Sequence, residues 1–228
     1  MAQSFTFGAL PPAPPKAIID ELAGYEVAWL SDAIELYLMD REIRPVWAGA
    51  PRLVGPAVTV TVAPGDVVMV AAAMKTVREG DVLVIDGRGD SSRAVWGDYF
   101  TKWARDLGIA GVLIDGATRD AAGIERLGVP VFARTTTPRK PILGGHGEIN
   151  VPVSCGGVCV LPGDIIVGDD EGVIVVPLRH LDGILARVRK VAETERSGHG
   201  MATGDRERFA EFFDKAFASR VAPPLSEG

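Results

Sequence analysis

Two aspartates and one arginine are the residues of this sequence whose types and spacing best suit a chemical site. Asp98 is separated by twenty residues from the adjacent pair Arg119 and Asp120. Two carboxylates without a nearby histidine or cysteine form the ligand set that a hard cation such as Mg²⁺ or Mn²⁺ prefers. A guanidinium beside them suits the carboxylate or the developing enolate of an oxo acid. If the fold brings the three side chains together, they predict a metal-assisted site for such an acid.

Each of these residues also has a purely structural interpretation. Asp120 could cap a helix, because its side chain can accept hydrogen bonds from free N–H groups at a helix start. Asp98 could be a first-turn acid that complements the helix dipole, and Arg119 could be a surface cation. The residues alone leave both interpretations open.

The elements around these residues follow the order strand, helix, strand. The apolar runs at 81–86 (DVLVID) and 109–115 (IAGVLID) are typical of strands buried on both faces. Gly97 and Asp98 favour a helix start between them. The apolar face of that helix consists of Phe100, Trp103, Ala104 and Leu107. A right-handed crossover sets the two strands parallel, so we expect both aspartates and the arginine to meet at one sheet edge. Free N–H groups near Gly97 could hold a substrate carboxylate there.

The rest of the pattern predicts one α/β domain with a mixed sheet and C-terminal helices. Helical periodicity covers 16–23, 26–39, 66–77, 121–128, 178–195 and 204–219, and further strands are expected at 57–63 and 129–134. An acidic turn at 168–172 joins two short β runs as a hairpin, which makes this half of the sheet antiparallel. We expect residues 1–20 to form an extended Pro-rich arm, 21–200 the main domain and 201–228 a helical tail.

Composition narrows the class of protein. A net charge of −6 and a pI near 5.2 argue against a nucleic-acid binder with a broad basic face. No segment reaches the roughly 18 apolar residues of a membrane span. The two cysteines, Cys155 and Cys159, cannot form a disulfide framework, so we expect a cytoplasmic protein and two buried thiols on one strand face.

Other conspicuous residues carry weaker signals. The GRGDS run at 87–91 is expected to be a tight glycine turn after the first strand, although Asp86 or Asp90 could line the mouth of the site and the role of Arg88 stays open. The sequence contains neither a P-loop nor GxGxxG, which argues against a nucleotide cofactor.

Several motifs support a family resemblance. They are VAPGD (62–66), REGDVLVI (78–85), GD (97–98), RD (119–120) and VSCGGVCVLPGDIIVGDDEGVIVVP (153–177). With them, the chain from about Leu22 to Glu195 resembles the 4-hydroxy-4-methyl-2-oxoglutarate and 4-carboxy-4-hydroxy-2-oxoadipate aldolases. These are metal-dependent pyruvate aldolases related to the regulator of ribonuclease E activity. The resemblance implies an RraA-like swivelling β/β/α domain that assembles as homotrimers or homohexamers, with active sites between subunits.

The resemblance also implies roles for individual residues. Asp120 would contact the divalent metal, and Asp98 would hold a water bound to it. Arg119 would bind the 2-oxo acid and stabilise the pyruvate enolate. Main-chain amides from Gly97 through Tyr99 to Phe100 would receive the pyruvate carboxylate. The glutamate that reaches a neighbouring subunit's site aligns with Glu195, for which a solvated helix position is the alternative.

The function implied is cleavage of a 4-hydroxy-2-oxo acid to pyruvate and a second oxo acid, with accompanying oxaloacetate decarboxylation. The segment at 86–96 differs from the best-known aldolases, which leaves the substrate open. The alternatives are a non-catalytic regulator that binds a ribonuclease and the same enolate chemistry on a sugar-derived or other oxo acid.

Overall fold

The computed structural model describes residues 6–199 and 204–217. Its helices are α1 (Lys16–Ala23), α2 (Val27–Ile34), α3 (Val68–Ala73), α4 (Asp98–Asp106), α5 (Ala121–Leu127), α6 (Leu181–His199) and α7 (Arg206–Ala216), with 3₁₀ turns at Glu35–Tyr37 and Leu178–His180. Its strands are β1 (Arg44–Pro45), β2 (Leu53–Val62), β3 (Val82–Trp96), β4 (Gly111–Thr118), β5 (Val131–Thr136), β6 (Gly147–Ile149), β7 (Val153–Cys155), β8 (Val158–Val160), β9 (Ile165–Asp169) and β10 (Gly172–Val176). None of the helices in these ranges has the length and apolar character needed to cross a bilayer.

The main sheet mixes parallel and antiparallel pairs, as expected for the fold class. Its strand order is β1-β5-β4-β3-β2-β9-β10, and β6 pairs with the end of β2. The β2–β3, β3–β4 and β4–β5 pairs are parallel. In contrast, β9 pairs antiparallel with both β2 and β10. The predicted β-α-β unit and the predicted hairpin around 168–172 are therefore both confirmed.

Strand β4 lies at the centre of the hydrophobic core. All eight of its residues are buried. Because side chains alternate across a strand, Val112 and Ile114 join the cluster that contains Ala104 of α4, whereas Leu113 joins the cluster on the other face. Burial on both faces explains why this run is apolar at every position rather than at alternate ones.

Helix α4 packs differently from the expected apolar face. Its fully buried positions are Thr101 and Ala104, whereas Trp103 and Leu107 are 53% and 42% exposed. Phe100 is partly buried and packs against the core as expected, so the predicted face is only half confirmed, with Trp103 and Leu107 turned outward.

Two predicted helices end earlier than their periodicity suggests. Helix α2 stops at Ile34 and is followed by the 3₁₀ turn. The chain then runs alongside β10, where the Met39 N–H donates to Val173 O (2.9 Å). Helix α3 is confined to Val68–Ala73. The side chain of buried Asp66 accepts hydrogen bonds from the N–H groups of Val68 (2.9 Å) and Gly145 (2.6 Å), which ties the helix start to a distant loop.

The prediction that the first strand ends at residue 86 is wrong, because β3 continues to Trp96. Asp86 pairs with Asp115 and Trp96 pairs with Thr118, so ten steps along β3 lie opposite three along β4. The extra residues of β3 are accommodated by register shifts in its pairing with β4, as in a β-bulge. A local turn exists within it, since Arg88 and Gly89 have positive φ values of 59° and 69°.

The prediction that both cysteines are buried on one face is also wrong. Cys155 is buried, but Cys159 is exposed. The chain reverses between β7 and β8, so Cys159 pairs with Ser154 rather than sharing the face of Cys155. Burial raises the pKa of the Cys155 thiol well above its ordinary value, as expected for an unreactive core cysteine.

The chain divides into two compact units, Met1–Val188 and Arg189–Gly228. The expected helix at 178–195 is present as a 3₁₀ turn followed by α6. In the tail, α7 begins after Asp205, whose side chain accepts a hydrogen bond from the Glu207 N–H (2.9 Å). The last two residues of the helix predicted at 204–219 lie outside the described residues, and the expected domain boundaries at 20/21 and 200/201 stay predictions.

Candidate active site

Helix α4 begins at a point fixed by a buried threonine. The Thr101 N–H and hydroxyl both donate to Gly97 O, at 3.0 and 2.9 Å. The same hydroxyl accepts a hydrogen bond from Trp96 Nε1 (2.8 Å). These three bonds hold the first turn of α4 against the last residue of β3, and so they fix the position of Asp98.

The loop after β4 is bound to the same point. The Arg119 N–H and the Thr118 hydroxyl both donate to Trp96 O, at 3.1 and 3.2 Å. The residue before Gly97 is therefore joined directly to the residue before Asp120. The expected meeting of Asp98 with the Arg119–Asp120 pair at one sheet edge follows from these contacts.

Asp120 has a strained backbone and does not cap its helix. It occupies the N-cap position of α5 with φ 59° and ψ 37°, a left-handed conformation that costs a non-glycine residue about 1 kcal/mol or more. Its side chain makes no capping hydrogen bond, and Oδ2 instead accepts from Arg119 Nε (2.9 Å). The side chain of Asp120 therefore does not make the capping hydrogen bond that the structural interpretation requires. Strain at a polar residue of this kind is characteristic of functional sites.

Two glycines make room for the carboxylates. A Cβ on Gly97 would lie 2.9 Å from Asp120 Oδ2 and 3.1 Å from Arg119 Cγ. A Cβ on Gly123, within α5, would lie 2.8 Å from Asp98 Cβ and 2.9 Å from Asp98 Oδ2. The side chains of Asp98 and Asp120 therefore lie against the starts of α5 and α4 respectively. The absence of a side chain at 97 and 123 is what permits this approach.

The three side chains interact electrostatically. The hydrogen bond and the charge of Asp120 raise the pKa of Arg119, and the charge of Asp98 contributes further. With both aspartates ionised, the cluster carries one net negative charge. Its members remain accessible, since the Arg119 and Asp120 side chains are 39% and 33% exposed. The carboxylates of such a site attract a cation, and the Arg119 guanidinium can bind an anion beside it.

The donor set fits a divalent cation that keeps several waters. Within the described residues, Asp120 Oδ1 and both carboxylate oxygens of Asp98 accept no hydrogen bond, so they are available as ligands. No group of three or more His, Cys, Asp or Glu side chains in the described ranges is arranged to hold a metal. Mg²⁺ often uses only one or two protein carboxylates, with waters and substrate completing its coordination.

The start of α4 offers a binding place for an anion next to these carboxylates. The N–H groups of Asp98, Tyr99 and Phe100 have no acceptor in the part of the chain that is described, and the Gly97 N-cap has no side chain to supply one. Phe100 stacks on Trp96 with ring centroids 5.4 Å apart, which holds this turn in place. Tyr99 is 70% exposed and leaves the helix end open.

Glu195 lies on α6 in the second compact unit and is half-buried. Glu195 already interacts with another group of the protein. Its assignment as a residue of a neighbouring subunit's site stays a prediction.

A polar cavity of about 380 Å³ is lined by Asp86 and Arg88, two residues whose roles the sequence left open. Asp86 of β3 pairs with Asp115 of β4, and Arg134 Nε of the next strand, β5, donates to Asp115 Oδ1. Arg134 also donates to Asp40 Oδ2 (2.9 Å), and these carboxylates raise its pKa. Because Arg134 is already paired with Asp115 and Asp40, the cavity is better explained as the edge of a paired network than as a second reaction site.

Sequence reasoning missed two residues that shape the site. Gly123 could have been noticed as a glycine inside an otherwise helical pattern, which often marks a close approach. Thr101 gave no such signal, because its role depends on the indole of Trp96.

Comparison with known proteins finds a matching protein family and a similar protein. Residues 27–175 match the model of the RraA-like family described as Aldolase/RraA. A protein of Halalkalibacterium halodurans named "Putative 4-hydroxy-4-methyl-2-oxoglutarate aldolase" is 44% identical over 162 residues, which cover 71% of this chain and 77% of that protein.

Two solved structures share the fold. Streptomyces coelicolor RraAS2, described as an unusual member of the RNase ES inhibitor RraA protein family, has a TM-score of 0.74 at 26% identity and covers 83% of this chain and 98% of that one. The RNA-processing inhibitor RraA from Thermus thermophilis has a TM-score of 0.60 at 29% identity, covering 67% and 93%. The family match spans well over half of the chain, and the H. halodurans relative is similar across most of both proteins. The chain therefore belongs to the RraA-like family described as Aldolase/RraA.

Proposed function

We propose that the protein is a divalent-metal-dependent aldolase that cleaves a 4-hydroxy-2-oxo acid, such as 4-hydroxy-4-methyl-2-oxoglutarate or 4-carboxy-4-hydroxy-2-oxoadipate, to pyruvate and a second oxo acid. The observation that carries the proposal is the meeting of Asp98, Arg119 and Asp120 at the open start of α4. The name of the H. halodurans relative supports the same reaction class.

The site accounts for both ends of the reacting group. The free N–H groups at the start of α4 bind the C1 carboxylate, where the helix dipole favours negative charge. Arg119 contacts the 2-oxo oxygen and stabilises the charge that develops on it. Asp120 would hold Mg²⁺ or Mn²⁺ directly and Asp98 would hold a water bound to it, and the cation when bound supplies Lewis-acid polarisation of the 2-oxo group.

Bond cleavage then needs one proton transfer in each direction. A water held by Asp98 relays the proton of the 4-hydroxyl group to the Asp98 carboxylate, and the C3–C4 bond breaks. Its electron pair becomes the C2–C3 double bond of the pyruvate enolate, while C4 becomes the carbonyl carbon of the second product. The same proton returns to C3 and gives pyruvate. Oxaloacetate decarboxylation should accompany this reaction, because loss of CO₂ leaves the same enolate.

We also propose that the cytoplasmic protein is a homotrimer or homohexamer in which a second copy covers the open side of the site. Tyr99 and Trp103 of α4, with Leu107 just after it, form a largely exposed apolar surface next to the reacting groups. Large exposed apolar groups of this kind mark protein contacts. The predicted contribution of Glu195 belongs to this part of the proposal, and a Glu195→Gln variant with normal assembly and normal activity would remove it.

Pyruvate release from 4-hydroxy-4-methyl-2-oxoglutarate, 4-carboxy-4-hydroxy-2-oxoadipate and oxaloacetate tests the proposal. We expect turnover with Mg²⁺ or Mn²⁺, its loss on addition of EDTA, and its recovery when the cation is restored in excess. A panel of sugar-derived and other oxo acids tests the alternative in which the same enolate chemistry acts on a different substrate. Absence of EDTA-sensitive activity on every one of these acids would rule out the aldolase.

A non-catalytic regulator is the second candidate. The observation in its favour is the structural likeness to a protein described as an RNA-processing inhibitor and to one described as an unusual member of an RNase ES inhibitor family. A stable complex with a ribonuclease in a pull-down, together with no lyase activity, would support the regulator instead.

Gly97→Ala should reduce activity more than stability. The added Cβ would meet Asp120 Oδ2 at 2.9 Å and displace the Asp120 and Arg119 side chains, both of which are flexible enough to move. The φ of Gly97 is −173°, which any residue adopts. We expect pyruvate release to fall on the order of ten- to a hundredfold, with a melting temperature within about 3 °C of wild type. Gly183→Ala, where a Cβ meets open space in α6, is the matched control. Unchanged activity in Gly97→Ala would show that the positions of these side chains do not matter.

A further inference from the structure

A segment after β5 crosses the sheet edge at which the candidate site lies. We call residues 137–142 the strap. The Thr137 N–H donates to Thr118 O at the end of β4 (2.8 Å), and Ala94 of β3 donates its N–H to Arg139 O (3.0 Å). Beyond them, the Ile142 N–H donates to Gly65 O (2.9 Å), in the loop after β2. The strap therefore passes over the carboxyl ends of β4, β3 and β2 in turn.

Arg139 itself makes the second of the two strap contacts that flank the site. Thr118, at one contact, immediately precedes Arg119. Ala94, at the other, is three residues before Gly97, which corresponds to about 10 Å along a strand. The backbone of Arg139 is thus fixed beside the site, and the substrate carbon chain together with an arginine side chain can span the remaining distance.

The side chain of Arg139 is exposed and makes no ion pair in the described part of the chain. The two neighbouring arginines are engaged elsewhere, since Arg119 pairs with Asp120 and Arg93 Nη1 donates to Lys140 O (2.9 Å). Lys140 is exposed like Arg139 and is the other cation of the strap, but its ammonium group lacks the fork geometry that binds a carboxylate through two hydrogen bonds. A guanidinium in a fixed backbone position suits a carboxylate, which it can bind through two parallel hydrogen bonds.

The proposed substrates carry a carboxylate at the end remote from the 2-oxo group. The cation, Arg119 and the start of α4 are all assigned to the pyruvate portion of the substrate, so the distal carboxylate requires a separate positive group. We propose that Arg139 binds this distal carboxylate and thereby selects dicarboxylic and tricarboxylic oxo acids over monocarboxylic ones. The inference rests on the proposed function, and it adds the residue that recognises the part of the substrate leaving as the second oxo acid.

Two substrates that differ only in the distal group test the inference. One is 4-hydroxy-4-methyl-2-oxoglutarate, and the other is its analogue with a methyl group in place of the distal carboxylate. For the full chain with Mn²⁺, Arg139→Met should lower kcat/KM on the dicarboxylate about ten- to a hundredfold, the range expected for losing a hydrogen bond to a charged group. Its kcat/KM on the analogue should stay at the wild-type value. Arg139→Lys should recover part of the loss, because it restores the charge without the paired hydrogen bonds.

Controls separate this inference from the proposed function. Arg126→Met removes an exposed arginine at the far end of α5 and should leave both substrates unaffected. Inhibition by pyruvate, which lacks the distal group, should be the same in wild type and Arg139→Met. An equal loss on both substrates, no loss on either, or a selective loss in Lys140→Met instead of Arg139→Met would overturn the Arg139 assignment while the aldolase stands. A wild-type protein without EDTA-sensitive turnover overturns both.

Discussion

Replacing Asp120 with asparagine should abolish the metal-dependent activity while leaving the fold intact. Asparagine keeps the side-chain shape and tolerates the left-handed backbone that Asp120 adopts, so the substitution mainly removes the charge. The Arg119–Asp120 pair is partly exposed, and its loss should cost about 1 kcal/mol or less. Losing a direct metal ligand should instead lower kcat/KM on the order of a thousandfold, about 4 kcal/mol of transition-state stabilisation. Pyruvate release and calorimetric titration with Mn²⁺ measure the two effects separately.

The chain provides a matched control for this substitution. Arg105 and Asp106, near the other end of α4, form an adjacent pair of the same kind with an N–O distance of 3.2 Å and somewhat greater exposure. Asp106→Asn should leave Mn²⁺ binding and turnover unchanged. If Asp120→Asn bound Mn²⁺ with wild-type affinity, Asp120 would not be the metal ligand, whatever happened to activity.

Replacing Arg119 with methionine should have the opposite pattern, with turnover lost and metal binding retained. The guanidinium is positioned for the charge that develops on the substrate, and removal of one such donor typically costs two to three orders of magnitude in rate. Removing the cation also changes the cluster from one to two net negative charges. The affinity for Mn²⁺ should therefore stay the same or increase, as measured by the same titration, and inhibition by pyruvate should weaken.

Arg105→Met serves as the control for loss of a partly exposed arginine from an Arg-Asp pair. Loss of Mn²⁺ binding in Arg119→Met with turnover preserved would reverse the roles proposed for Arg119 and Asp120. A melting temperature far below wild type would assign Arg119 to the fold, so thermal unfolding should accompany each titration.

The β-α-β unit could be predicted from the sequence because its signals are local and strong. The run at 109–115 is apolar at every position, which indicates a strand with both faces covered, and β4 is buried throughout. Gly97 and Asp98 indicated a helix start, and α4 begins at Asp98. The handedness of the crossover then sufficed to bring Asp98 to the same edge as Arg119 and Asp120.

The predictions that failed concern contacts between distant segments. Cys159 lies four residues from Cys155, but the reversal between β7 and β8 gives it Ser154 as its partner, and spacing alone does not reveal a reversal. The run at 87–91 has the composition of a turn, yet β3 continues through it, because pairing with β4 resumes at Asp90 and goes on through Ala94 to Trp96.

The sequence by itself determined which residues could do chemistry here and at which end of the sheet they lie, because residue type, helix starts and strand direction are local properties. Only the tertiary structure decided how they meet. It showed that Gly123 admits the side chain of Asp98, that Asp120 adopts a left-handed backbone and pairs with Arg119, and that the strap fixes Arg139 beside them. Each of these depends on a contact between segments that pack only after the sheet has formed, and local sequence does not encode the partner in such a contact.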